Sequence, residues 1–129
     1  MSKISKPRNS GQWTEARHTS FIKSALRKAR WPVKYESMKR SQVGKKINEE
    51  TGRLAMHHEC AHCKGHFPSK QMAEDHIDPV VDPAVGFVDW NTYIERLFVE
   101  LDNFQSLCKE CHTKKTNTEK EIAKRRRNV

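Results

Sequence analysis

Two closely spaced cysteine pairs are the residues of this chain best suited to hold a metal ion: Cys60-x-x-Cys63 and Cys108-x-x-Cys111. Zinc accepts a tetrahedron of thiolates, and a two-residue spacer lets one tight turn direct two sulfurs at the same ion. Two such turns, far apart in sequence, would tie distant chain segments together. The spacing therefore predicts a structural zinc site with four cysteine ligands.

Other uses of these cysteines are weaker. Nothing in the sequence suggests secretion, and closely spaced pairs favour a metal over disulfides. A redox dithiol would need only one pair. His62 and His66 could replace a cysteine as a zinc ligand, but we expect them to be turn residues near the site.

A second group of residues is arranged around the cysteines. Asp75-His76 follows the first pair, Asn103 precedes the second pair, and His112 directly follows Cys111. A neutral imidazole beside a divalent cation held by a carboxylate can deprotonate water, while the cation neutralises charge on a phosphate. This combination suits phosphodiester hydrolysis. The plainer alternatives are a capping or ion-paired aspartate, a turn-forming asparagine and a histidine that only adjoins the zinc.

The spacing of these residues resembles the HNH endonuclease family, in particular its small bacteriophage members with a four-cysteine zinc site. The resemblance covers roughly residues 56–120, and one departure is the long segment between His76 and Asn103. The matching residues are Cys60-x-x-Cys63, Asp75-His76-Ile77-x-Pro79, Asn103-x3-Leu107-Cys108-x-x-Cys111-His112 and Lys115.

The resemblance implies an α+β fold with a ββα-metal (His-Me finger) core. In that family pattern His76 is the general base, and Asp75 and His112 hold a catalytic divalent cation, Mg²⁺ or Mn²⁺. Asn103 would hold the strand geometry that orients His76, and the products would carry 5′-phosphate and 3′-hydroxyl ends. A homing endonuclease is the first expectation, with a packaging nuclease or a weapon against competing DNA as alternatives.

Charge is distributed very unevenly along the chain. The net charge is +9 overall, with +9 in residues 1–50, −5 in residues 51–107 and +5 in residues 108–129. Cationic segments on both sides of an acidic centre predict a polyanionic partner, here DNA. A solvated surface with basic tails would give the same charge distribution. The candidate DNA-binding residues are Lys23, Arg27, Arg30, Lys114, Lys115, Lys124, Arg125, Arg126 and Arg127. The same features would serve a non-catalytic zinc-stabilised DNA-binding module, which has no need of Asp75, His76 and His112.

Size and composition restrict the remaining classes of protein. A chain of 129 residues with 35% hydrophobic residues has a thin core, which a bound metal would help to stabilise. No stretch approaches the ~20 apolar residues of a membrane span, and the N-terminus has no signal-peptide pattern. We therefore expect a cytoplasmic protein, in a bacterial host if it is encoded by a phage.

The secondary structure that must position these residues can be predicted from periodicity and turn signals. A basic arm over residues 1–12 is followed by an amphipathic helix that places Lys23, Arg27 and Arg30 on one side. Residues 1–50 are predicted to form a DNA-binding unit, and residues 51–129 a nuclease domain with a basic C-terminal helix. Helices are predicted over 14–29, 34–49 and 93–101, and the last of these has a capping box of Thr92 and Glu95. A further helix is predicted beyond residue 111, with a cap at Thr118 and Glu121. Strands are predicted over 56–60 and 72–77.

Overall fold

The computed structural model describes residues 4–128, so the first residues of the basic arm predicted over 1–12 lie outside the described part. The fold is α+β, as predicted, with four helices and two small antiparallel sheets in the described residues. The chain forms two compact units, one ending at Arg30 and the other beginning at Trp31.

The first unit is built around helix α1, Glu15–Arg27. The Thr14 side chain caps it by accepting a hydrogen bond from the Arg17 N–H, and Trp13 packs on Phe21 with ring centroids 5.1 Å apart. The helix predicted over 14–29 is confirmed, but it ends at Arg27. Arg30 therefore follows the helix and does not extend its basic side.

The second unit begins with helix α2, Pro32–Arg40, and continues into strand β1, Gln42–Ile47. The helix predicted over 34–49 is therefore wrong in its second half. Gly44 has a φ of +120°, outside the helical region, and lies at an irregularity in the pairing of β1. The β-branched Val43 and Ile47 suit a strand, and cross-strand pairing outweighs the apparent helical spacing.

Strand β1 pairs with β2, Leu54–Glu59, which pairs in turn with β3, His66–Pro68. The Gly52 N–H donates to the Asn48 carbonyl (2.7 Å) in the turn that joins β1 to β2. The predicted strand over 56–60 is confirmed, starting two residues earlier than expected. The first sheet thus leads directly into the turn that contains Cys60 and Cys63.

The second sheet is the hairpin of β4, Met72–His76, and β5, Phe104–Cys108, and helix α4, Lys109–Arg127, follows directly. The strand predicted over 72–77 and the C-terminal helix are confirmed. The predicted cap at Thr118 and Glu121 is wrong, because Thr118 lies inside α4 and donates to the Lys114 carbonyl. Cys108 is the N-cap instead, and its sulfur accepts from the Cys111 N–H.

Between β4 and β5 the chain forms an irregular loop and helix α3, Trp90–Leu97. The predicted helix exists, but its bounds of 93–101 and its Thr92 cap are wrong. Asp89 is the N-cap and accepts from the Thr92 N–H (2.7 Å), so α3 begins earlier than a capping box at Thr92 would allow. This hydrogen bond lowers the pKa of Asp89, because it favours the charged carboxylate.

Helices α2 and α4 both pack against the hairpin of β4 and β5. Arg40 of α2 donates to the Phe104 carbonyl (2.9 Å), and Trp31 donates to the Val99 carbonyl (2.6 Å). A core cluster lies at the opposite end of β5, where Phe67 and Met72 pack against Leu107 and the buried cysteines. Helices α2 and α4 therefore fix the two strands that carry the candidate site.

Candidate functional site

The four cysteines predicted to bind zinc converge on one point. Their sulfur atoms all lie within 4.8 Å of one another, with Cys63 and Cys108 4.0 Å apart. A disulfide bond would need about 2.05 Å, and all four thiols are free. A tetrahedral zinc with Zn–S bonds of about 2.3 Å places its sulfurs roughly 3.8 Å apart. The cluster could therefore hold a structural metal ion such as zinc, and it includes neither His62 nor His66.

The first cysteine turn owes its shape to local backbone geometry. The Lys64 N–H donates to the Cys60 carbonyl (3.0 Å), and Lys64 itself adopts a φ of +64°. The Cys60 N–H donates to the Gly65 carbonyl (2.9 Å), and a Cβ at Gly65 would come within 2.9 Å of the Phe67 ring. Glycine is therefore needed where the turn meets β3.

Local hydrogen bonds favour the thiolate form of one of the cysteines. Burial tends to raise the pKa of Cys60, but N–H groups of Cys108, Cys63 and His62 outweigh it and lower the pKa to about 6. The hydrogen bond with Cys108, together with burial, raises the pKa of Cys111 to about 12. Binding a metal ion would require the thiols to lose their protons.

Asp75 lies where β4 faces α4, and only 12% of its side chain is exposed. Its Oδ1 is 3.7 Å from His112 Nε2, and its Oδ2 accepts from Gln105 Nε2 at 2.9 Å and lies 3.1 Å from Lys115 Nζ. Gln105 is the residue paired with Asp75 across the hairpin. The structure therefore brings together the two residues predicted to hold the catalytic cation, and a carboxylate with an imidazole is a donor set that suits a divalent ion.

His76 follows Asp75 in β4, and its ring contacts different elements. Nε2 lies 2.8 Å from the Leu97 carbonyl at the end of α3, and the ring centroid is 4.7 Å from that of Phe104. A carbonyl oxygen can only accept, so Nε2 carries the proton of the neutral ring and Nδ1 is the basic nitrogen. This hydrogen bond leaves Nδ1 as the ring nitrogen that can accept a proton.

Asn103 ends the short 3₁₀ turn before β5 and is bonded to the chain that leaves β4. Its Oδ1 accepts from the Asp78 N–H (3.1 Å), and its carbonyl accepts from the Ile77 N–H (2.9 Å). These bonds fasten the end of β4 immediately after His76. That Asn103 orients His76 stays a prediction.

Lys115, predicted to contact DNA, instead has an ammonium group surrounded by oxygen atoms of this protein. Its Nζ lies 3.1 Å from Asp75 Oδ2, donates to the His76 carbonyl (3.0 Å) and donates to Glu119 Oε1 (2.5 Å). Burial tends to lower the pKa of Lys115, but the two carboxylates outweigh it and raise the pKa above its usual value. Sequence reasoning missed both Gln105 and Glu119; four-residue spacing from Lys115 could have indicated Glu119, whereas Gln105 depends on the strand register.

The remaining candidate DNA-binding residues are spread over both units. Lys23 and Arg27 lie on α1, and Arg30 follows it, all within the first unit. On α4, Lys114 lies 3.3 Å from Glu110. Arg126 donates to the Pro83 carbonyl (3.1 Å), so it helps to fix the loop before α3. The other predicted contacts on α4 are exposed: Lys124, Arg125 and Arg127.

Comparisons with protein-family models, with curated proteins and with solved structures return no match for this chain. Within the described residues, no helix is both long and apolar enough to cross a bilayer. Functional interpretation therefore rests on the chain's own residues and their geometry.

Proposed function

We propose that this protein is a metal-dependent DNA endonuclease of the HNH type, with β4, β5 and α4 as its ββα-metal core. The observation that carries the proposal is the 3.7 Å approach of Asp75 to His112, next to a histidine whose tautomer is set by the Leu97 carbonyl. A purely DNA-binding module would gain nothing from this arrangement. The resemblance in motif spacing over residues 56–120 supports the same assignment.

His76 acts as the general base. Its Nδ1 takes a proton from water as the water oxygen forms a bond to phosphorus, and the bond from phosphorus to the 3′ oxygen breaks. Solvent returns a proton to the 3′ oxygen, which leaves 5′-phosphate and 3′-hydroxyl ends. Asp75 and His112 would hold Mg²⁺ or Mn²⁺, which supplies charge stabilisation for the phosphate and the leaving oxygen.

The four-cysteine cluster is proposed to bind zinc in a structural role. It joins the turn after β2 to the end of β5 and the first turn of α4, and the Ala61 N–H donates to the Ser106 carbonyl (2.8 Å) beside it. His112 follows Cys111 directly, so a closed cluster fixes the start of the helix that carries a proposed catalytic ligand. Zinc would thus stabilise the site without taking part in the chemistry.

DNA is the proposed substrate because both ends of the chain are strongly cationic. The exposed lysine and arginine side chains of α1 and α4 would contact phosphates and position the duplex, and such contacts carry no sequence information. A homing or packaging-associated role is proposed on the resemblance alone.

The direct test is incubation of the purified protein with supercoiled plasmid in Mg²⁺, Mn²⁺ or EDTA. We expect nicked or linear product with a divalent cation and none with EDTA, and end-labelling should detect 5′-phosphates. His66→Ala is a suitable control, because that ring contacts Lys46 and Glu59 in the first sheet. Tight DNA binding without cleavage in any metal would refute the nuclease and support the zinc-stabilised binding module.

A further inference from the structure

We infer that Lys115 is a positioning residue of the proposed nuclease site, anchored by Glu119, and that it does not contact DNA phosphate. The inference rests on the proposed function, since it concerns the carboxylate of Asp75. It replaces the expectation that Lys115 belongs to the DNA-binding surface.

The three partners of the Lys115 ammonium are the basis of this inference. An ammonium has three N–H donors, and Lys115 Nζ has three oxygen acceptors within 3.1 Å, on Asp75, His76 and Glu119. Only 26% of the Lys115 side chain is exposed, compared with 73% for Lys114. A phosphate contact would therefore require Lys115 to give up an existing ionic partner.

These contacts join the two elements of the site. Lys115 lies on α4 one turn after His112, and two of its partners are the successive residues Asp75 and His76 of β4. Lys115 and Gln105 both contact Asp75 Oδ2, whereas the other carboxylate oxygen, Oδ1, is the one directed at His112. Lys115 thus fixes the orientation of the carboxylate and the separation of β4 from α4.

The charges of Lys115 and Glu119 have a further consequence for cation binding at Asp75. The Lys115 ammonium next to Asp75 opposes the entry of a second cation, and the Glu119 carboxylate partly offsets that repulsion. A unit charge beside a divalent-cation site changes its affinity on the order of tenfold, even at a water-like dielectric. Removing Lys115 and removing the Glu119 charge should therefore shift cation affinity in opposite directions.

The first experiment measures Mn²⁺ affinity of the full-length protein without DNA, by calorimetric titration. We expect Lys115→Met to bind Mn²⁺ about tenfold more tightly than wild type, because the lost charge repulsion outweighs the looser hold on the Asp75 carboxylate, and Glu119→Gln to bind it about tenfold more weakly. Glu121→Gln removes an exposed carboxylate of the same helix, which lies 3.8 Å from Arg125, and should leave the affinity unchanged. Circular dichroism confirms that both test variants are folded, and shifts of the same sign in the two folded variants would overturn the inference.

The second experiment measures DNA affinity in EDTA as a function of salt. Lys115→Met should keep the wild-type slope, whereas losing one phosphate contact lowers it by about 0.9. Lys114→Met, at the exposed neighbouring position, is the comparison. A reduced slope for Lys115→Met would show that Lys115 contacts phosphate and overturn the inference.

Cleavage kinetics at saturating Mn²⁺ separate positioning from binding. Lys115→Met should lower kcat more than tenfold and leave KM for DNA unchanged, because the carboxylate loses its orientation while the DNA contacts persist. A raised KM with unchanged kcat would contradict the inference. If wild-type protein does not cleave DNA, the proposed function fails, but the salt slope still decides whether Lys115 contacts phosphate.

Discussion

At the scale of single residues, His76 is the most informative position. The Leu97 carbonyl fixes the proton on Nε2, so in the proposed mechanism the base is Nδ1 of a ring already held against Phe104. His76→Ala should lower the cleavage rate about 10²–10⁴-fold, the usual contribution of a general base. DNA affinity in EDTA should change little, since the proposed role of the ring is in the chemical step and not in phosphate contacts. Wild-type cleavage by this variant would refute the assignment.

A second prediction at the scale of single residues concerns the four cysteines. Cys108→Ser should release the bound metal and sharply lower the melting temperature, because a structural zinc contributes folding free energy directly. Elemental analysis and thermal unfolding would measure both effects. Ser24→Ala, a change on α1 in the first unit, serves as the control. Wild-type protein that contains less than one zinc per chain would contradict the prediction.

At the scale of elements, the N-cap of helix α3 matters for His76. The Asp89 side chain caps the start of the helix, and the Leu97 carbonyl at its end holds the His76 ring. Asp89→Ala should lower the melting temperature, whereas Asp89→Asn, whose side-chain oxygen can still accept from Thr92, should restore much of it at neutral pH. The pKa of Asp89 is lowered in the folded protein, so its charge stabilises the fold above the unfolded value near 3.8. That contribution disappears as the pH falls through the folded pKa.

Melting temperatures of wild type and Asp89→Asn should therefore converge in acid, and circular dichroism at a series of pH values would follow the convergence. A constant difference between the two proteins down to pH 2 would show that the charge of Asp89 plays no part.

At the scale of the whole molecule, the boundary between the compact units determines where the chain can be divided. The predicted division at residue 50 separates β1 from β2 and removes α2, whose Arg40 is bonded to the Phe104 carbonyl. The boundary between the compact units falls instead between Arg30 and Trp31 in the sequence. A fragment of residues 31–129 keeps both sheets, the cysteine cluster and the candidate catalytic residues.

Removing residues 1–30 should therefore leave a folded, zinc-containing protein with weaker DNA binding. This segment carries a net charge of +7, and its loss should flatten the dependence of affinity on salt by about 0.9 for each phosphate contact removed. Fluorescence anisotropy with labelled duplex at several salt concentrations would measure the change. Equal affinity and slope for fragment and full chain would show that this unit is not a DNA-binding arm.

Local chemistry of the sequence determined several features without reference to the fold. The two cysteine spacings indicated one four-sulfur cluster, since a short turn between paired ligands is a local property. Short extended segments bounded by turn residues located β4, and helical periodicity located α1. The spacing of Asp75 and His112 selected two residues that the structure brings together. The choice of helix or strand failed over residues 42–47, where the pairing of β1 with β2 outweighs local periodicity.

Only the tertiary structure decided which partners these residues have. Gln105 meets Asp75 through the register of the hairpin, and the Leu97 carbonyl reaches His76 from a separate helix; neither contact is encoded in local spacing. The sequence predicted that Lys115 contacts DNA, as does its neighbour Lys114, but the ion pairs with Asp75 and Glu119 give Lys115 a different environment. Residue types and short spacings specify which groups can do chemistry, whereas long-range packing fixes which atoms face each other, because that depends on contacts between segments far apart in the chain.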